Sequence, residues 1–125
     1  AQQLAQIARG KATPVMQVGN LDVKRDFSDV RDIVRAYRLA ALKGHGIYNL
    51  GAGHSTSIQT ILDTLISISG SKVQVTQDPT RMRPAEVHEI YGDISRAKLE
   101  LGWSPTISLR ETHESVYRYW LEKER

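Results

Sequence analysis

Two stretches of this 125-residue chain put guanidinium groups where a ligand could meet them: Gly19-Asn20-Leu21-Asp22-Val23-Lys24-Arg25-Asp26-Phe27 and Arg81-Met82-Arg83-Pro84-Ala85-Glu86-Val87. Both combine turn-forming residues with Arg, and an Arg on a loop can leave the surface and fork onto a diphosphate with paired N–H donors. Glu86 follows Arg83 by three residues. A carboxylate there could accept hydrogen bonds from two neighbouring ribose hydroxyls, with Pro84 stiffening the loop. The plainer reading makes Arg25 with Asp26 and Arg83 with Glu86 surface ion pairs of little energetic value, and composition alone favours it.

Three other patterns imitate chemistry. Gly51-Ala52-Gly53 lies between a strand-like and a helix-like segment, and Asp78 ends the following strand, a partial dinucleotide fingerprint with Thr56 where the third Gly belongs. Ser55, Thr56 and Ser57 read better as helix-capping candidates. Tyr119 and Lys123 have the Tyr-x-x-x-Lys spacing that lets an ammonium lower a phenol's pKa. They stand in the last seven residues, where packing beside a surface Lys is the simpler account. The four His, at 45, 54, 88 and 113, are scattered without helical pairing, so neither a metal site nor a triad can be built from them. His113 reads as a surface or half-buried residue.

The elements that must position these residues follow from periodicity. The chain begins in helix-like sequence with Leu4, Ile7 and Ala8 on one face, and a start without Met reads as a piece of something longer. Residues 14–18 form a short strand closed by Gly19-Asn20. Ser28 precedes Val30, Ile33, Val34, Tyr37 and Ala41, the spacing of a core-facing amphipathic helix, with Arg31, Arg35 and Arg38 on its solvated side. Residues 46–50 read as a buried strand leading into a helix that carries Ile58, Ile61, Leu62, Leu65 and Ile66 and stops at Gly70. Residues 72–76 then alternate as a strand, so 46–76 is expected to be a β-α-β unit with parallel strands. A short helix from Asp93 or Ser95 ends at Gly102. The last helix opens on the Ser108 and Glu111 capping box, with Leu109, Val116 and Trp120 facing one side. The fold class is α/β.

Composition narrows the function classes. A hydrophobic fraction of 40% with 25% charged residues belongs to a folded chain and excludes disorder. The net charge of +3 is interleaved along the length, so nucleic acid is not expected as a partner. No apolar run is long enough for a bilayer, so no membrane partner is expected, and cytoplasm is the default location. The absence of Cys excludes disulfides, thiolate metal sites and a Cys nucleophile.

Gly19-Asn20-Leu21-Asp22, Arg25-Asp26-Phe27, Asp29-Val30-Arg31-Asp32, Ile47-Tyr48-Asn49-Leu50-Gly51, Arg83-Pro84-Ala85-Glu86-Val87 and Leu101-Gly102-Trp103-Ser104-Pro105 occur in that order over nearly the whole chain. This set resembles the C-terminal part of extended short-chain dehydrogenases acting on nucleotide sugars. Within them it resembles the branch of GDP-mannose 4,6-dehydratase and GDP-4-keto-6-deoxy-D-mannose reductase. The resemblance implies that residues 1–125 are a single C-terminal piece of a Rossmann-like fold, holding late sheet strands and the nucleotide-sugar-binding part. It implies that Arg25 and Arg83 hold the diphosphate of a GDP-sugar, Glu86 its ribose, and Val18 and Asn20 lie near the guanine, with residues 78–87 closing over the nucleotide. It places the NADP site and the catalytic Tyr-x-x-x-Lys in an N-terminal part that these residues do not contain, so the chain alone is expected to be inactive and the intact parent a homo-oligomer.

Within the branch, the dehydratases usually carry aromatic residues before the Arg-Pro element where this chain has Thr80-Arg81-Met82, and the Tyr119-Trp120 ending looks more like the reductases, so the resemblance implies a reductase transferring hydride at sugar C4, with GDP-mannose 4,6-dehydratase or another nucleotide-sugar epimerase or dehydratase as the alternative. The rival of another class is a small basic anion-binding or interaction domain without catalysis, which would bind many polyanions weakly and salt-sensitively.

Overall fold

The computed structural model describes residues 1–83 and 87–125. Two apolar clusters organise it. Around the first lie α1 (Gln2–Ala8), β1 (Val15–Val18), α3 (Ile58–Ser69), β4 (Gln74–Gln77) and α4 (Leu109–Lys123). Leu4, Ala5, Met16, Leu62 and Tyr117 are buried there, with Val18, Leu65, Ile66, Val73 and Trp120 packed against them. Around the second lie α2 (Val30–Lys43) and a π-helical turn, Ala97–Leu101. This core comprises Ala36, Ile94, Ala97, Leu101 and the fully buried Trp103. Two-residue strands β2 (Lys24–Arg25), just before α2, and β3 (Thr56–Ser57), just before α3, pair antiparallel.

Local chemistry explains most boundaries. Ser57 caps α3 by accepting the Thr60 N–H at 3.0 Å, and Gly70 closes it at φ +64°, a left-handed conformation that glycine takes without steric cost. Ser108 accepts the Glu111 N–H at 3.2 Å and starts α4, as the capping box predicts.

The parallel pairing differs from expectation. β4 pairs in parallel with β1, Val15 opposite Gln74 and Val18 opposite Gln77. Residues 46–50 form no ladder, so the β-α-β unit expected over 46–76 is absent and the crossover runs from β1 to β4 instead. Nor is that segment buried throughout: Ile47 is 83% exposed, while Tyr48 and Leu50 pack on the second core.

The expected inner face of α2 is also corrected. Asp29, not Ser28, is the N-cap, and the helix turns Asp32, Ile33, Ala36, Leu39 and Ala40 inward. Val30, Val34 and Tyr37 are exposed. Hydrophobic spacing identified a stripe correctly but could not say which of two apolar stripes meets this core. On α4 the inward residues are His113 and Tyr117, with Trp120 beside them, whereas Val116 is exposed. His113 is thus buried, against the surface or half-buried position expected. No helix among the described residues is long and apolar enough to cross a membrane.

Candidate functional site

The two Arg-bearing loops lie together, joined like a zipper. At one end the Asp78 N–H donates to the Val18 carbonyl at 2.9 Å. A side chain at Gly19 would strike the Arg81 carbonyl, so only glycine permits this approach. The Asn20 amide then imitates a strand neighbour: its Nδ2 donates to the Arg83 carbonyl at 2.8 Å, and its Oδ1 accepts the Arg83 N–H at 3.2 Å. At the far end Lys24 continues the pairing, its N–H donating to the His88 carbonyl at 2.8 Å and its carbonyl accepting the Ile90 N–H at 3.3 Å.

Arg25 closes the zipper. Its guanidinium donates to the carbonyls of Lys24 at 2.7 Å, Val87 at 2.9 Å and His88 at 3.3 Å. Arg83 is exposed, with its backbone held on both sides by Asn20. Glu86, with Pro84 and Ala85, lies outside the described residues. The Val18 side chain is turned onto the first core. Of the five residues singled out from sequence, then, Asn20 and Arg25 hold the loop that carries Arg83, and Val18 roots the strand that leads into it.

Asp26 is the residue sequence reading undervalued. It makes no ion pair with Arg25. Its Oδ1 accepts the Ala52 N–H at 2.6 Å, and its Oδ2 accepts those of Gly53 at 3.1 Å and Gly92 at 3.2 Å. A Cβ at Gly51 would collide with this carboxylate. The glycine turn that resembles a dinucleotide fingerprint therefore already has an anion on its amides, supplied by the chain itself. The residues present do not fit the pyrophosphate of NADP. The signal was available: an Asp just before a helix and a Gly-x-Gly turn with free amides are chemically complementary.

The other imitations resolve similarly. Lys123 Nζ stands 5.6 Å from the centre of the Tyr119 ring, a surface cation–π contact. Among the described residues no cluster of His, Asp and Glu could hold a metal ion.

Two carboxylates on the first turn of α2 fix the scaffold beside the site. Asp29 receives the Arg31 backbone N–H and its guanidinium, each at 2.9 Å, and the Thr112 hydroxyl at 2.8 Å. The Arg31 guanidinium holds the Asp29 carboxyl well below the usual range despite burial. Asp32 is almost fully buried. It accepts the N–H groups of Thr106 and Ile107, both at 2.9 Å, and the Thr106 hydroxyl at 3.0 Å, and pairs with Arg35. Burial is the largest influence on Asp32 and pushes its pKa upward, but the Ile107 N–H, Arg35 and Thr106 together hold it below the ordinary value.

The GDP-mannose 4,6 dehydratase family model matches residues 1–116. A GDP-6-deoxy-D-mannose reductase of Pseudomonas aeruginosa is 32% identical over 124 residues, covering 96% of this chain and 40% of its own length. A GDP-mannose 4,6-dehydratase of Sinorhizobium fredii is 29% identical over 127 residues, 86% of this chain and 36% of its own. The structure of RMD from Pseudomonas aeruginosa complexed with NADPH superposes with a TM-score of 0.91 at 28% identity, over 98% of this chain and 41% of that one. The chain spans about 40% of the length of these relatives. Its α/β fold is the C-terminal portion of the extended short-chain dehydrogenase/reductase fold, and the chain belongs to the GDP-mannose 4,6 dehydratase family.

Proposed function

We propose that this chain is the substrate-binding part of an NADP-dependent nucleotide-sugar enzyme, a GDP-4-keto-6-deoxy-D-mannose reductase. The observation that carries the reading is the zipper between residues 18–25 and 78–90. It fixes the backbone of Arg83 through Asn20 and ties down the far end of the loop through Arg25, so that an exposed guanidinium stands on a held loop. Such a group can meet a diphosphate without first ordering its own backbone, and a preorganised donor binds at lower entropic cost.

In this reading Arg83 binds the diphosphate and Glu86 the ribose. Arg25, with its donors on three carbonyls, contributes by orienting the loop and by its charge. The guanine is met near Asn20 and Val18. NADP and the hydride chemistry are assigned to residues outside this chain, because among the described residues the glycine turn at 51–53 already carries the Asp26 carboxylate on its amides. What the chain supplies is positioning: holding the nucleotide so that sugar C4 lies at a catalytic group carried elsewhere. The parent acts on a soluble GDP-sugar in the cytoplasm, as a homo-oligomer.

Titration calorimetry with GDP, GDP-mannose and UDP-sugars tests this. Preference for the guanine nucleotides, reduced about 10- to 100-fold by Arg83→Ala as expected for loss of a charge-assisted contact of about 1.5–3 kcal/mol, supports it. Equal, salt-sensitive binding of unrelated anions would establish the basic anion-binding domain instead. With NADPH and a GDP-4-keto sugar the chain alone should give no turnover, and measurable reduction would sink the division of labour proposed.

A further inference from the structure

Arg25 and Asp26 follow one another at the end of β2, and their side chains serve different neighbours. Arg25 donates to the carbonyls of Val87 and His88. Asp26 collects three amides from two separate segments: Ala52 and Gly53 in the turn before β3, and Gly92 beyond the segment that carries Arg83. The turn is shaped around this carboxylate. A Cβ on Gly51 would stand 2.5 Å from Oδ2, 2.8 Å from Cγ and 2.9 Å from Oδ1 of Asp26. Gly51 lacks the positive φ that Gly53 has at +78°, so room for Asp26, not backbone conformation, is what calls for glycine at 51. Both oxygens of Asp26 are engaged within the chain, and what it contributes to a ligand is therefore indirect.

The same segments are joined again beside it. The Ser55 hydroxyl bonds the Glu89 carboxylate, which stands 4.0 Å from Lys24 Nζ. The N–H groups of Ile58 and Gln59 donate to the carbonyls of Val23 at 3.0 Å and Leu21 at 2.9 Å. Residues 21–26 thus run between the entry to α3 on one side and residues 87–92 on the other. Among the described residues Asp26 is the one side chain of this run that hydrogen-bonds to both. Charge-assisted bonds from three N–H groups make it a firm junction.

We propose that Asp26 is a positioning residue for nucleotide binding. By fixing the end of β2 against the 51–53 turn and Gly92, it sets where the Arg25 guanidinium stands, and Arg25 in turn holds Val87 and His88 on the far side of Arg83. This rests on the substrate reading above and adds to it a residue without ligand contact of its own. The path of action is short: one peptide bond from Asp26 to Arg25, then one set of hydrogen bonds to the segment that presents Arg83. A group that must meet a diphosphate in a fixed place needs its supporting residues held as firmly as itself.

Titration calorimetry of this chain with GDP and with GMP, which differ by the β-phosphate, tests it. Asp26→Asn keeps the size of the side chain but turns an NH2 toward amide donors. GDP affinity is expected to fall about five- to tenfold, as for loss of a charge-assisted bond. GMP affinity should change by less than about twofold, the range within which distant sites act independently. The ratio of GDP to GMP affinity then moves toward that of Arg83→Ala, whereas a merely structural role would weaken both nucleotides alike, in proportion to the fraction unfolded. Gly51→Ala strikes the same carboxylate from the other side and should narrow the ratio equally. In an Asp26→Ala background nothing is left to strike, and adding Gly51→Ala should change GDP affinity by less than about twofold. An unchanged ratio in Asp26→Asn and Gly51→Ala, with Arg83→Ala still losing GDP, overturns this proposal and leaves the substrate reading standing. Additive losses in the double variant overturn it too. Failure of both single variants to fold does the same, making Asp26 a determinant of the fold. No preference for GDP in the unsubstituted chain, or none lost in Arg83→Ala, overturns both readings together.

Discussion

The two cores of this small molecule are finished to different degrees. The first is closed by three helices against a parallel strand pair, and its large residues, Leu4 and Tyr117 among them, are covered by elements of the chain itself. The second is held on one side by α2 and on the other by the segment ending in Trp103, yet it leaves an apolar helix stripe and a strand-like segment uncovered. It compensates with polar locks. The indole Nε1 of Trp103 donates to the Asp32 carbonyl at 2.9 Å, and the Asp32 carboxylate gathers the amides of Thr106 and Ile107. Where apolar closure is incomplete, buried hydrogen bonds specify the arrangement, and their loss is correspondingly expensive.

The contrast is broken most directly at Trp103. Trp103→Ala removes the largest fully buried side chain and the donor to Asp32, and is expected to cost about 3–5 kcal/mol. Leu4→Ala in the first core should cost about 2–5 kcal/mol. Urea melts give the totals, and hydrogen exchange shows where each acts. Trp103→Ala should open α2 and residues 94–107 while α1, α3 and α4 keep their protection. Uniform loss of protection would mean that the two cores are one cooperative unit.

Asp32 sharpens the point with less effect. Asp32→Asn keeps the shape but presents an NH2 to donors, and about 2–4 kcal/mol is expected from groups left unpaired in a buried site. The same carboxylate sets a pH dependence. In the folded chain Asp29 and Asp32 both lie below their ordinary value of 3.8. The stability they contribute is therefore complete above that value and is lost as pH falls through the range beneath it. Thermal melts from pH 7 downward should show this loss, and Asp32→Asn should flatten it.

How much of this was legible beforehand depended on whether the answer was local. Caps, glycine stops and the α3 and α4 boundaries were readable because Ser57, Gly70 and Ser108 act on neighbours within a few residues. The Arg25 and Arg83 segments stand out by residue type as a candidate site, and the family resemblance rests on the order of all the quoted motifs along the chain. What failed was tertiary. Alternation at residues 46–50 announces a strand but not its partner, and here no partner is among the described residues. The α2 spacing announces an apolar stripe, but two stripes of one helix obey the same arithmetic, and only the position of Trp103 and Leu101 decides which is inward. Asp26 was assigned to Arg25 because they are adjacent, whereas the amides it serves are 26 to 66 residues away.

The first core has its own titrating group, and it separates the two halves by pH. His113 is buried with Nδ1 lacking a partner, and burial, aided by the charged amino terminus at Ala1, lowers its pKa from the ordinary 6.5. Its neutral form is the folded form. The unfolded chain takes up that proton first as pH falls, so stability declines below 6.5, well before the Asp locks of the second core respond. His113→Leu should remove this first decline and cost or gain no more than about 1 kcal/mol at pH 7, since it replaces an unsatisfied polar atom with an apolar one of similar size. Hydrogen exchange at pH 5.5 then places the effect: faster opening of α1 and α4 in the parent chain, none in the variant. A decline that persists in His113→Leu would assign it elsewhere.

The smallest stability change is expected on the segment that connects the two cores, and it separates holding a loop from touching a ligand. Arg25 spreads its donors over the carbonyls of Lys24, Val87 and His88, a fork that an ammonium cannot reproduce. Arg25→Lys keeps the charge. If Arg25 works by geometry, the Lys variant loses about as much GDP affinity as Arg25→Ala, roughly tenfold, for about 1 kcal/mol or less of stability, and exchange quickens at the His88 and Ile90 amides. If it works by charge alone, Arg25→Lys retains affinity and Arg25→Ala does not. Asn20→Ala completes the comparison, because it carries no charge to lose: among the described residues its Oδ1 and Nδ2 bond the backbone of Arg83. An affinity loss in Asn20→Ala equal to that in Arg25→Lys would locate the function of both residues in the shape of the loop, leaving Arg83 as the guanidinium that meets the diphosphate.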